Sequence, residues 1–127
     1  MNVCDIFDRH PMTTSPDEPA QALWGRMQRG GADHAVVLEH DQVAGIISRH
    51  DLMGPAGGAR RRMGRSVGEL MRRDVSTTTP TTSVRRAAAS MRRRHVGCLP
   101  VVTRKQLVGI LTVSQLLRVL EQKLAGG

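Results

Sequence analysis

The sequence predicts an α/β (α+β) fold built from two copies of one small unit, each running strand, helix, strand, strand, helix. Three observations carry that expectation. An eight-residue stretch occurs twice, GIISRHDL at Gly45 to Leu52 and GILTVSQL at Gly109 to Leu116, and the copies lie 64 positions apart. The same offset, without a gap, lays Arg9 on Arg73, Thr13 on Thr77, Thr14 on Thr78, Pro16 on Pro80, Met27 on Met91, Arg29 on Arg93, Val37 on Val101 and Gln42 on Gln106. A self-match of this length marks a tandem duplication. Within each copy, β-branched apolar runs stand beside a segment whose apolar residues recur at i, i+3, i+4 and i+7, the periods of strand and helix.

Taken in order, Asn2 to Asp8 reads as a short helix with Val3, Ile6 and Phe7 on one side, closed by Pro11. Met12 to Thr14 is a brief strand ahead of Pro16. Ala20, Leu23, Trp24 and Met27 then form a helical stripe, with Asp17 and Glu18 suited to its N-terminus and Gly30-Gly31 to its end. Ala35 to Leu38 and Val43 to Ile47 read as neighbouring strands, antiparallel because only the polar turn Glu39 to Gln42 joins them.

GPAGGARRRMGRS, from Gly54 to Ser66, holds four glycines, one proline and four arginines without period and reads as a linker. Ser66 and Glu69 form a capping-box pattern that starts a short helix over Val67, Leu70 and Met71. The second copy repeats the order: a cap at Ser83, a stripe of Val84, Ala87, Ala88 and Met91, and strands Leu99 to Val102 and Leu107 to Leu111 around Thr103 to Gln106. The last helix, Val113 to Leu124, carries Val113, Leu116, Leu117, Val119, Leu120 and Leu124, a stripe wider than one core contact needs, so part of it faces a partner. The expected division is 6–54 for the first unit, 55–66 for the linker and 67–124 for the second.

A chain of 127 residues fits one compact domain or two half-size units that lean on each other. The net charge of +8 is almost wholly arginine, since Lys105 and Lys123 are the only lysines, and it favours anionic partners: phosphates, nucleic acid or acidic protein surfaces. Cys4 and Cys98 make no disulfide framework, and no Cys/His spacing suggests zinc. Asp5, Asp8 and Arg9 stand where a secretory apolar region would lie, and no apolar run approaches membrane-spanning length. A soluble cytoplasmic protein without a membrane partner is expected, and the arginine surplus fits a GC-rich bacterial genome.

The threonine-bearing strands Met12-Thr13-Thr14 and Ser76-Thr77-Thr78, a helix ending near methionine, the strand Leu99-Pro100-Val101-Val102, and then Gly-Ile-Ile-Ser-x-x-Asp-Leu together resemble the cystathionine-β-synthase (CBS) domain. Two in tandem look like a Bateman module, and the resemblance runs from about Ile6 to Leu124. It implies two units packed about a pseudo-twofold axis, clefts that commonly hold adenosine nucleotides or S-adenosylmethionine, and frequent pairing into a homodimer that acts as a sensor.

The residues point to a site at Ser48 and Asp51, where a strand turns into a helix. Unpaired N–H groups at a helix start suit phosphate, a hydroxyl adds a donor, and a carboxylate accepts both hydroxyls of a ribose; in nucleotide-binding relatives the matching residues have these roles. Ser-x-x-Asp and Thr-x-x-Gln also match helix capping, so Ser48 with Asp51 and Thr112 with Gln115 serve equally as caps, and the two roles are compatible. Gln115, an amide where the first copy has a carboxylate, points to one competent site rather than two. By resemblance, Thr14 and Thr78 meet the ligand, His34 stands where some relatives have a phosphate-binding basic residue, and Ala35, Val37, Leu99 and Val101 line the base pocket as well as the core.

The expected function is a stand-alone, non-enzymatic sensor that binds an adenosine-type ligand (AMP, ADP, ATP or S-adenosylmethionine), has no covalent cofactor, dimerises and signals to another protein. No nucleophile with a paired base, phosphate-cradling glycine loop or metal cluster is evident. The alternative is a nucleic-acid- or ribosome-associated accessory protein using Arg60-Arg61-Arg62 with Arg65, and Arg92-Arg93-Arg94 with His95. The aromatic residues that stack on single strands are missing from it, because Phe7 and Trp24 lie on apolar faces.

Overall fold

The computed structural model describes residues 1–54, 58 and 62–126. Arg60 and Arg61, with most of the expected linker, lie outside the described residues. The chain forms two compact units, Pro11–Val75 and a second made of Met1–His10 with Ser76–Gly127.

In the Pro11–Val75 unit, β1 (Thr13–Thr14) pairs in parallel with β2 (His34–Glu39), which pairs antiparallel with β3 (Gln42–Ser48). Helix α1 (Ala20–Gly30) precedes β2, and α2 (Arg49–Met53) and α3 (Val67–Leu70) follow β3. The α1 stripe works as its period requires: Ala20, Leu23 and Met27 are buried with Ala35, Val37, Ile47 and Leu52, and Trp24 packs against them. Gly31 ends α1 at φ 68°, a left-handed turn that glycine adopts without a Cβ penalty. The helix start differs from expectation. Its cap is Pro19, the Ala20 N–H donates to the Arg65 carbonyl (2.9 Å), and Glu18 turns instead to Arg26.

The other unit repeats the plan with α4 (Val84–Arg94), the hairpin β4 (Cys98–Thr103) and β5 (Gln106–Thr112), and α5 (Val113–Ala125). Ser83 caps α4 by accepting the Arg86 N–H at 3.1 Å. The expected strand at Ser76 to Thr78 shrinks to one parallel bridge between Thr78 and Val101. Duplication is visible in backbone detail. Both hairpins shift register at the same place, Val37/Leu38 and Val101/Val102, and both turn on two residues with positive φ: His40 and Asp41 at 54° and 64°, Arg104 and Lys105 at 51° and 65°. A two-residue turn of this hand matches the twist of the strands, although its positions favour Asn and Gly.

Each core is completed by a segment that the repeat boundary assigns elsewhere. Val67 and Met71 belong to the core of the Pro11–Val75 unit, and Val3 and Phe7, in and beside the short 3-10 turn Val3–Asp5, belong to the other. These are again equivalent at the 64-residue offset. Arg72 bridges Ile46 through hydrogen bonds of 3.0 and 2.9 Å, and Asp8 bridges Ile110 through two of 2.9 Å. The glycine that opens each eight-residue motif permits this. A Cβ on Gly45 would meet the Arg72 carbonyl and Met71 Sδ at 2.8 Å, and one on Gly109 would strike the Asp8 carbonyl and the Phe7 ring. No helix among the described residues is long and apolar enough to cross a membrane.

Two stability outcomes follow. Gly45→Ala and Gly109→Ala each destabilise their unit by about 1–3 kcal/mol in urea unfolding, because the added methyl displaces backbone rather than a flexible side chain; unchanged midpoints would show that the bridges are dispensable. Lys105→Gly raises stability by about 0.5–1 kcal/mol by removing a left-handed residue with a Cβ, and a loss of stability would contradict this account of the turn.

Candidate functional site

The site residues of the first copy assemble where β2 and β3 meet α2. Pairing of the strands sets His34 opposite Ser48. Ser48 then caps α2: its Oγ accepts the Asp51 N–H at 3.1 Å, and its own N–H donates to Asp51 Oδ2 at 2.9 Å. This reciprocal box is the capping reading of the motif, so Ser48 and Asp51 are held in fixed rotamers by their own helix.

The second carboxylate oxygen of Asp51 is engaged by a residue that sequence reasoning missed. Arg72 Nε donates to Asp51 Oδ1 at 3.2 Å. Asp51 is sheltered, with 11% of its side chain exposed, whereas Arg72 is 57% exposed, so the cation is the solvent-facing member of the pair. Its backbone is pinned by the Ile46 bridge while its side chain lies along the surface. Arg62 adds a bond to the Asp51 carbonyl at 2.8 Å. The only sequence signal for Arg72 was its equivalence with Asp8 at the repeat offset, a pairing of opposite charges.

Two donors at the start of α2 are already committed. Arg49 N–H goes to the Asp33 carbonyl at 3.0 Å and Asp51 N–H to Ser48. The helix start is therefore a poor phosphate cradle, and the available cation beside the carboxylate is Arg72. Arg49 turns away: its guanidinium donates to the carbonyls of Ala32 (2.9 Å) and Met27 (3.3 Å) and covers Trp24, clamping the end of α1.

His34 is mostly buried, and that burial pushes its pKa below the ordinary imidazole value against the opposing pull of Asp33 and Asp51. Thr14 is buried, and its hydroxyl donates to Glu18 Oε1 at 2.5 Å. The hydrogen bond from Arg26 holds the Glu18 carboxyl below the usual carboxylate range, so Thr14, Glu18 and Arg26 form one closed network. Ala35 and Val37 have no exposed surface and belong to the core.

In the second copy, Thr112 and Gln115 form the corresponding box, with Thr112 N–H to Gln115 Oε1 at 2.8 Å and Gln115 N–H to Thr112 Oγ1 at 3.4 Å. The ion pair is missing there, because Gln115 replaces Asp51 and Asp8 replaces Arg72. Thr78 is buried like Thr14, but its hydroxyl has no hydrogen-bond partner among the described residues, where Thr82 stands in place of Glu18. Leu99 and Val101 are fully buried core residues. The structure thus brings together His34, Ser48, Asp51 and Arg72 in one unit and Thr112 with Gln115 in the other.

A family model described as the CBS domain matches residues 3–55 and again residues 67–122. The chain is 31% identical over 90 residues to the uncharacterized protein MJ1232 of Methanocaldococcus jannaschii, an alignment covering 70% of this chain and 29% of that protein. Among solved structures it is similar to a candidate acetoin utilization protein (AcuB) from Vibrio cholerae, with TM-score 0.83, 26% identity and coverage of 98% of this chain and 93% of that one. It is also similar to the CBS domain pair of protein MJ0100, solved in complex with 5′-methylthioadenosine and S-adenosyl-L-methionine, with TM-score 0.87, 23% identity and coverage of 97% and 98%. Two family matches at the spacing of the internal repeat, on a structure that superposes on such pairs along nearly its whole length, place the chain in the CBS domain family as a tandem pair.

Proposed function

We propose that this chain is a non-enzymatic regulatory module that binds an adenosine-type ligand at the Ser48–Asp51 turn and relays its occupancy to a partner protein. The observation that carries the reading is the arrangement at that turn: a sheltered carboxylate, rigidly oriented by a capping box, with an exposed guanidinium on its free side. Each carboxylate oxygen has two acceptor directions, so Asp51 can take ribose hydroxyls while still capping its helix. Arg72 is free to leave Asp51 for a phosphate, which a planar guanidinium binds through two parallel hydrogen bonds. The family relation supports the ligand class, since the MJ0100 pair holds two adenosine derivatives.

The same reading includes a homodimer. On α5, Val113, Leu117, Leu120 and Leu124 are 41%, 57%, 52% and 72% exposed, an apolar stripe that the core does not use. Adenosine binding falls to the first copy, because Gln115 beside Asp8 offers neither the anionic double acceptor nor the cation.

Thermal shift with AMP, ADP, ATP, S-adenosylmethionine and methylthioadenosine tests the ligand class. A ligand at 100 times its Kd adds about 2.7 kcal/mol of stability. Asp51→Asn keeps an acceptor for the Ser48 N–H but abolishes the ligand-induced shift; an unchanged shift removes Asp51 from the site. Arg72→Gln weakens the phosphorylated ligands about tenfold and leaves methylthioadenosine unaffected, and equal weakening of both would assign Arg72 a merely structural role.

The pH dependence follows from His34. Its pKa in the fold lies below the unfolded value of about 6.5, so the unfolded chain binds the extra proton first. The stability contribution is complete above pH 6.5 and is lost as the pH falls from there through the folded value. His34→Asn flattens that part of the stability profile in urea titrations between pH 7.5 and about 5; a profile with the wild-type slope would show that other groups set it.

A further inference from the structure

The positive charge is divided very unevenly. The unit formed by Met1–His10 and Ser76–Gly127 has ten of the nineteen basic residues and three of the eleven acidic ones, a net +7, and leaves +1 for Pro11–Val75. The excess gathers on α4. At 3.6 residues per turn, Arg85 and Arg92 share one line of that helix and Arg86 and Arg93 a second, with Ala89 between them. The opposite side buries Ala87 and Met91. All four arginines are exposed, and among the described residues none joins an ion pair or a side-chain hydrogen bond.

Helix chemistry accounts for only half of them: Arg92 and Arg93 lie in the last turn, where the dipole favours cations. Arg85 and Arg86 occupy the first turn, where the helix dipole disfavours cations, and the helix has no acidic residue to offset them. The duplication supplies an internal control. At the 64-residue offset the twin helix α1 has Gln21, Ala22, Gln28 and Arg29 at the same exposed positions, so the same fold is built with one arginine instead of four. The hairpin turn changes in the same sense, from His40-Asp41 to Arg104-Lys105. A like-charged, unpaired face that opposes the helix dipole at its first turn and is missing from the twin is a departure from local consistency of the kind found at functional surfaces.

We propose that this face of α4 docks on the phosphate backbone of double-stranded nucleic acid without regard to sequence. Guanidinium groups match phosphate oxygens through two hydrogen bonds. Ala89 is the only apolar side chain between the arginines, which leaves nothing to insert into a lipid surface or to fill a pocket in a protein. With no aromatic residue on the helix, stacking on unpaired bases is excluded, and backbone contact along a duplex remains. Residues i and i+7 lie about 10.5 Å apart along the axis, which spaces the paired arginines to reach different phosphates. The arginines of this face are not among the residues of the proposed ligand site, and the test is independent of that reading.

Fluorescence anisotropy of a labelled 20-base-pair duplex of arbitrary sequence, titrated at 50 to 200 mM salt, decides the matter. Four phosphate contacts give a log K against log salt slope of about −3.6, or an affinity loss of about a hundredfold across that range. The combined Arg85→Ser, Arg86→Ser, Arg92→Ser, Arg93→Ser variant, shown folded by its melting curve, loses the binding. Arg92→Ser alone makes the slope shallower by about 0.9, and Arg29→Ser on the twin helix changes nothing; these singles carry the test should the combined variant not fold. Failure to bind at 50 mM salt, an unchanged slope in Arg92→Ser, or equal retention by phosphatidylserine vesicles or polyglutamate would overturn the proposal.

Discussion

Each half of this molecule is closed by a short piece of backbone laid across a glycine. At Gly45 and Gly109 the hairpin has no side chain on that face, and the segments carrying Arg72 and Asp8 come close enough to exchange hydrogen bonds with Ile46 and Ile110. The approach delivers Met71 and Phe7 into the two cores. A two-stranded hairpin with one helix would leave one face of the sheet wet, and such an element is marginal by itself. The closing segment supplies the missing cover. For one unit it arrives from the residues just after the linker, and for the other from Val3 to Asp8, so the second core joins segments far apart in sequence. Closing so long a loop costs entropy, which grows only slowly with length.

Duplication makes the molecule its own control experiment. What recurs in both copies is what the fold requires: the bulge, the left-handed hairpin turn, the capping boxes, the glycine and the bridge. What differs is free to serve function. Asp51 with Arg72 becomes Gln115 with Asp8, the closed network of Thr14, Glu18 and Arg26 has no counterpart around Thr78, and the outer face of α1 acquires arginines in α4. The sheltered carboxylate with its cation therefore lies in one unit and most of the positive charge in the other.

At the turn after β3, capping and the proposed ligand recognition use the same atoms. Ser48 and Asp51 satisfy their helix start, and that fixes the carboxylate in place. The Arg72 pair adds a charged partner to that carboxylate. Because its guanidinium is exposed, the pair contributes little to stability by itself. Its value lies in placing a cation next to an acceptor.

The repeat, the two strand periods, the α1 and α4 stripes, the boxes at Ser48, Ser66 and Thr112 and the family were legible in the residues alone, because each depends on neighbours within about ten positions or on a fixed offset. Strand Ser76 to Thr78 was over-read: the bond that the Val36 N–H gives the Met12 carbonyl has no counterpart, because Pro100 stands in place of Val36 and has no N–H. Only the tertiary structure decided which segment closes which core, that Arg72 meets Asp51, and that Ala35, Val37, Leu99 and Val101 are sealed from solvent. Those facts turn on contacts between residues some twenty to more than one hundred positions apart, where periodicity carries no information. A local pattern records what a side chain prefers, and distance in the fold settles what it touches.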